Sequence, residues 1–298
     1  MNDPDAAMSK VDFLKLLDLE PAGADRWIGH SPDNGWPRVF GGQVVAQALS
    51  AAQRTVIDRA VHSLHGYFIL GGDPNEPIQY DVERVRDGRS FTTRRVVASQ
   101  RREAIFVMSA SFHVAEQGLD HELAAPERPE PEDTPDPRAF IAPAGEAALR
   151  QYEAFVARVA PIEVRPLDLK RYLPLRPGET RPARQVQWLR IGAVLPDDSA
   201  LHAVGLAYLS DLTLLDAALA RHGHSIAGGK FQLASLDHAL WFHRPVKVDD
   251  WLLYVQDSPS AQGGRGLSRG LLYDRAGRLI ASVAQEGLIR PRRALPAP

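Results

Sequence analysis

The sequence predicts an α+β protein of two repeats, each an antiparallel sheet wrapped around a central apolar helix. Three observations carry this. First, two segments, about 40–56 (FGGQVVAQALSAAQRTV) and about 206–220 (LAYLSDLTLLDAALA), are small or apolar nearly all round. A helix of that kind is normally buried. Second, each is followed by runs with the period-two alternation of half-buried strands. Third, 117–137 (QGLDHELAAPERPEPEDTPDP) is rich in prolines and carboxylates and separates the halves. Such a segment buries too little apolar area to offset its ordering entropy and reads as a linker. A sheet bent around each helix buries the helix on both sides.

The elements follow in order. Residues 9–20 carry Phe13, Leu14, Leu16 and Leu17 at helical spacing, and 31–37 (SPDNGWP) is a loop by turn chemistry. After the first apolar helix, 61–70 is a strand bounded by Gly71 and Gly72. In 78–83, Ile78, Tyr80 and Val82 alternate with Gln79, Asp81 and Glu83. Asp87-Gly88 signals a hairpin before the strand 90–99. Phe106, Met108, Ala110 and Phe112 share a parity in the strand 104–114. A short helix near 144–158 and an irregular Pro-rich stretch lead to the strand 184–192. After the second apolar helix, strands are expected at 233–243, 250–258, 265–273 and 278–290, with a turn at Asp274–Gly277. The expected units are a first repeat over 1–118, a linker with a short helix over 119–183, and a second repeat over 184–298. Ser63-Leu64-His65 corresponds to Ser235-Leu236-Asp237 in this scheme, and 104–112 to 279–287. The tail PRRALPAP is expected to be disordered.

Composition excludes several function classes. The 298 residues hold 35 Lys and Arg against 37 Asp and Glu, a net charge of −2, unlike a general nucleic-acid binder. No run of about 18 apolar residues suggests a membrane span, and MNDPDAAMSK does not resemble a secretory signal, so a cytoplasmic protein is expected. The chain has no cysteine, which removes disulfides, Cys-ligated zinc, iron–sulfur clusters and thiol nucleophiles.

Familiar site motifs fail. No G-x-G-x-x-G follows a strand, and no P-loop is present. Gly223-His224-Ser225-Ile226-Ala227 approaches a nucleophile elbow, but it follows a helix and lacks the last glycine; a helix C-terminal cap and loop is the better reading. The pairs His62/His65, His222/His224 and His238/His243 lack metal-site spacing. No cofactor and no metal is expected.

Three polar residues stand where the pattern calls for apolar ones. Asp211 falls in the first turn or two of helix 206–220, where a first-turn acid against the positive helix end is the ordinary explanation. Ser235 opens the strand 233–243. Gln285 shares the parity of Leu279, Ala281 and Val283, so its amide must find partners inside.

At this point the sequence resembles a known family, the acyl-CoA thioesterase II or double-hotdog thioesterases. The resemblance rests on Val39-Phe40-Gly41-Gly42-Gln43-Val44-Val45-Ala46-Gln47-Ala48, on 61–96 (VHSLHGYFILGGDPNEPIQYDVERVRDGRSFTTRRV), on Tyr208-Leu209-Ser210-Asp211, on 234–254 (ASLDHALWFHRPVKVDDWLLY) and on Val283-Ala284-Gln285-Glu286-Gly287. It covers about 25–115 and 185–290 and implies a double hotdog fold and hydrolysis of acyl-CoA to fatty acid and CoA. It also implies a catalytic trio of acid, hydroxyl and amide, mapping onto Asp211, Ser235 and Gln285, with Ser where Thr is frequent. The first repeat lacks the trio, with Gln43 and Ser111 roughly in the places of Asp211 and Gln285, so one active centre per chain follows.

Under this reading Asp211 takes a proton or hydrogen bond from a water that Ser235 and Gln285 position. Backbone N–H groups near the start of helix 206–220 face the thioester oxygen. That helix end also makes Asp211 a weaker base unless burial opposes it. A covalent acyl-Ser235 route needs an adjacent base, and His238, three residues along a strand, is expected on the opposite face. His65 is expected to line the cleft or, preferably, to pack the central helix. Arg265 and Arg269 suit CoA phosphates, although solvated strand-edge charge is preferred. Acyl-CoA is the expected partner, with no nucleic acid and no membrane. A homodimer or higher homo-oligomer is expected, with the apolar strand 250–258 as an edge needing cover. Two alternatives stand beside the hydrolase: a non-catalytic acyl-CoA binder, and an enoyl-CoA hydratase. The hydratase would need a His near Asp211, and the nearest in sequence is His202.

Overall fold

The computed structural model describes residues 12–292 apart from 33–34, 36, 173–175, 177 and 225–229. Most of the expected tail, part of the expected first helix and most of the 223–227 motif lie outside the described residues, while Pro291, the first residue of that tail, ends the last strand. The first half contains helix α1 (Phe13–Leu16), strands β1 (Glu20–Gly23) and β2 (Arg26–Gly29), helix α2 (Gly41–Gln53), and strands β3 (Ala60–Phe68), β4 (Ile78–Asp87), β5 (Phe91–Gln100) and β6 (Glu103–His113). Then come α3 (Pro137–Ile141), α4 (Glu146–Val159) and β7 (Ile162–Pro166). The second half holds β8 (Arg184–Ile191), α5 (Ser199–Ser210), α6 (Leu214–Ala220), β9 (Phe231–Ser235), β10 (Asp237–Phe242), β11 (Leu252–Gln262), β12 (Arg265–Tyr273) and β13 (Leu279–Pro291).

The strands form one antiparallel sheet in the order β1-β2-β4-β5-β6-β3-β10-β13-β12-β11-β8-β7, with β9 on β13. Each half is a hotdog, a curved sheet around its own helix. The halves join where β3 meets β10, with Leu64 opposite Leu240. Inward positions follow the expected parity: in β6, Phe106, Met108, Ala110 and Phe112 are all buried. Helix α2 is buried almost throughout, and it packs on α5 so closely that a Cβ at Gly42 would stand 2.4 Å from the Tyr208 carbonyl oxygen. Residues 199–220 have the length and hydropathy of a membrane span, yet most of them are buried as the core of the second half.

Several elements differ from expectation. The first helix is a single turn, capped by Asp12 and followed by β1 instead of continuing to residue 20. The segment 119–183 holds the expected short helix, as α4, and adds α3 and β7, the latter a sheet edge. Strand β11 is not an edge; its apolar residues are covered because β8, from before the helix, pairs along it from Leu252–Leu189 to Asp257–Arg184. The strand expected over 233–243 is two strands, broken at Leu236. The second central helix begins earlier than expected, at Ser199 under an Asp198 cap, and breaks after Ser210.

Candidate active site

The two breaks create the site. Asp211 is the C-cap of α5 and not a first-turn acid. The sequence reading failed because periodicity continues through 206–220 while the backbone does not: Thr213 turns left-handed (φ 65°) before α6 starts. A break in a buried helix leaves carbonyls without partners, and these must be satisfied. Three side chains from the sheet do so. Tyr254 Oη donates to the Ser210 carbonyl (2.6 Å), Gln256 Nε2 to Leu212 (2.9 Å) and Gln185 Nε2 to Thr213 (2.6 Å). Thr213 Oγ1 lies 3.0 Å from Gln256 Oε1 and accepts from Gln187 Nε2 at 2.6 Å. These residues were missed, although their signal is in the sequence: Gln185 and Gln187 share a parity in β8, as do Tyr254 and Gln256 in β11.

The second break shifts register. Ser235 pairs with Gly287, whereas Ala239 pairs with Ala284, so four steps on one strand face three on the other. This one-residue bulge reverses the alternation between the two segments. His238 therefore faces the same side as Ser235, contrary to the expectation from an unbroken strand. It is 1% exposed, with Nδ1 2.6 Å from Gln285 Oε1 and Nε2 2.8 Å from Ser210 Oγ.

The three singled-out residues come together here. Gln285, 1% exposed on β13, donates from Nε2 to Ser235 Oγ at 2.8 Å, and Ser235 Oγ stands 3.5 Å from Asp211 Oδ1. Burial raises the Asp211 carboxyl above the ordinary carboxylate range. The nearby His238 and hydrogen bonds from Gln285, the Gly42 backbone and Ser235 oppose this in part. The C-terminal end of α5, where Asp211 sits, also disfavours a negative charge.

The helix N-terminus at this site belongs to α2, from the other repeat, and not to the second-half helix. Phe40, its N-cap, offers no side-chain acceptor, and the Asp211 carboxylate takes that role across the repeat boundary. A Cβ on Gly41 would lie 2.7 Å from Asp211 Oδ2 and 3.0 Å from the Phe68 ring, so a glycine is needed at that approach.

Other candidates lie elsewhere. Gln43 is buried but bonded to the His30 carbonyl and Ser31 Oγ. Ser111 is bonded to His62, and the inward position matching Gln285 is held by Phe112. His65 neither lines the cleft nor packs the helix. With Leu64 turned inward, His65 is exposed and stacks edge-on against Trp241 at 5.0 Å. Arg265 and Arg269 pair with Glu286 and Asp257 in exposed ion pairs. His202, nearest to Asp211 in sequence, instead accepts from the Val248 amide.

Two family models cover most of the chain: Acyl-CoA thioesterase over residues 160–288 and Acyl-CoA thioesterase N-terminal domain over 32–113. The chain is 38% identical over 280 residues to Acyl-CoA thioesterase 2 of Haemophilus influenzae, covering 94% of this chain and 97% of the relative. The chain belongs to the acyl-CoA thioesterase family. Human Acyl-coenzyme A thioesterase 8 is another relative of this family, 37% identical with 97% of this chain and 92% of its own length covered. Among solved structures, the Mycobacterium marinum acyl-CoA thioesterase II TesB2 superposes with a TM-score of 0.75 at 43% identity, over 94% of this chain and 98% of that one. A further hotdog-fold protein, from Alicyclobacillus acidocaldarius, is 20% identical with a TM-score of 0.71 and speaks to the fold alone.

Proposed function

We propose that this thioester hydrolase cleaves acyl-CoA with a water activated by Asp211 and positioned by Ser235 and Gln285. The observation that supports it is the convergence of a buried acid, a hydroxyl and an amide from three separate elements, linked Gln285–Ser235–Asp211. A buried carboxylate whose proton affinity is raised is a better base than a solvated one. The water gives a proton to Asp211 as its oxygen attacks the thioester carbonyl. Collapse of the tetrahedral intermediate expels the CoA thiolate, which takes the proton held by Asp211, leaving the carboxylic acid, the free thiol and the carboxylate restored. The positive end of α2 faces the same region and favours the developing oxyanion.

A covalent acyl-Ser235 route has less support. The Ser235 hydroxyl accepts from Gln285, and His238 contacts Gln285 instead of Ser235, so no imidazole is placed to take the hydroxyl proton. The decisive experiment is thiol release from acyl-CoAs of increasing chain length, with Asp211→Asn as control. Near-normal turnover in folded Asp211→Asn refutes the acid's role, and a stable acyl adduct on Ser235 by mass spectrometry refutes the water route. Binding of acyl-CoA without any thiol release would favour a non-catalytic binder.

A further inference from the structure

We propose that His238 is a positioning residue for this reaction: by donating from Nδ1 to Gln285 Oε1, it fixes which end of the Gln285 amide faces Ser235 and Asp211. The inference rests on the trio reading given above. A glutamine amide is nearly the same shape either way round, so only its partners decide whether oxygen or nitrogen points at a given atom. In the observed arrangement the NH2 end bonds both Ser235 and Asp211, and the oxygen end meets His238. Turned over, the amide oxygen would face the Asp211 carboxylate. The Ser235 hydroxyl would then donate to that oxygen, and its proton would be lost to the water and the acid.

The chain of contacts is a closed ring. Ser210 Oγ meets His238 Nε2 at 2.8 Å, His238 Nδ1 meets Gln285 at 2.6 Å, Gln285 meets Ser235 at 2.8 Å, and Ser235 approaches Asp211 at 3.5 Å. Residues 210 and 211 are joined by a peptide bond, so the end of α5 both begins and ends the ring. An imidazole fits this place because its two ring nitrogens reach two elements from one rigid side chain. A donor on Nδ1 satisfies the amide oxygen, while a ring carrying its single proton on Nε2 would set two acceptors against each other.

The test uses the full chain and thiol release from acyl-CoA. His238→Asn keeps a donor near the place of Nδ1, whereas His238→Gln reaches toward Ser210 and loses it. His238→Asn is expected to keep kcat within about threefold of wild type, and His238→Gln to lower kcat at least about tenfold with KM changed less than about twofold. Combining His238→Gln with Gln285→Ala is expected to be no slower than Gln285→Ala alone, because both remove one unit. Equal loss in the Asn and Gln variants, no loss in either, or multiplicative effects in the double variant overturns the positioning role while leaving the trio intact. Full activity in Gln285→Ala instead sinks the trio reading, and the inference with it. Should the variants fail to fold, nitrogen-15 histidine NMR of the wild type decides: a protonated Nδ1 on His238 supports the inference, and a neutral ring protonated only on Nε2 overturns it.

Discussion

The first repeat threads an unbroken helix, α2, past a continuous strand, β3, which bulges between Val61 and Ser63 without stopping; in the second repeat the helical stretch breaks after Ser210 and the strand is interrupted at Leu236. Elsewhere the halves match closely, down to Leu64 and Leu240 facing each other across the joint. The helix break places a carboxylate at the end of α5, and the strand break turns Ser235 and His238 to one side. In the first repeat the position matching Gln285 holds Phe112, and the sheet around it is packed with apolar side chains. The difference teaches that the chemistry sits at the irregularities. The regular repeat still contributes, because its helix start receives the Asp211 carboxylate.

The largest expected effect is at the helix break. Asp211→Asn should lower kcat by about 10²-fold or more, measured by thiol release. The acid limb of the wild-type pH profile is expected above the ordinary carboxylate range, since the raised Asp211 carboxyl must lose its proton to act as base. The same shift makes a stability prediction. In the unfolded chain this carboxyl titrates near the ordinary value of about 3.9. The folded state holds the proton to higher pH, so stability declines as pH rises through that window and stays lower above it. Asp211→Asn removes that cost. Its melting temperature should exceed wild type at neutral pH, with the gain shrinking toward acid; a lower melting temperature at neutral pH would contradict the raised carboxyl.

Gly41→Ala tests whether the regular repeat serves the site. Its Cβ would stand 2.7 Å from Asp211 Oδ2, and a displacement of about 1 Å at a reacting group costs up to about 10²-fold in rate. Gly118→Ala is the control, with open space around its Cβ and no expected change. Wild-type activity in Gly41→Ala would make the second repeat self-sufficient.

Smaller effects belong to the support. Thr213→Val removes the buried hydroxyl that accepts from Gln187 Nε2 and reaches Gln256 Oε1, so urea unfolding should show a loss of about 1–3 kcal/mol. Phe112→Gln exchanges a fully buried ring for an amide and should destabilise the fold, and it should create no second activity, because the first repeat lacks the acid that the amide would serve. The smallest effect is expected at Arg269→Gln, which removes an exposed ion pair with Asp257; KM for acyl-CoA should be unchanged, and a marked rise would place the CoA phosphates there.

Much of the fold was legible because its signals are local. The buried alternation of β6, the Asp87-Gly88 hairpin and two apolar helices each follow from neighbouring residues. Asp211, Ser235 and Gln285 stood out as polar residues in apolar surroundings, and long matching stretches tied them to one family. The sequence by itself determined the two repeats, their order and the identity of the polar residues. Only the tertiary structure decided where the regular elements stop. Periodicity ran unchanged through Asp211 and Leu236, because a helix break or a bulge costs little locally when distant side chains satisfy the freed backbone groups. Tyr254, Gln256 and Gln185 supply those hydrogen bonds from strands remote in sequence. That is why parity sent His238 to the wrong face and a first-turn position was assigned to Asp211. It is also why the helix start at the acid turned out to be α2, about 170 residues away in the chain.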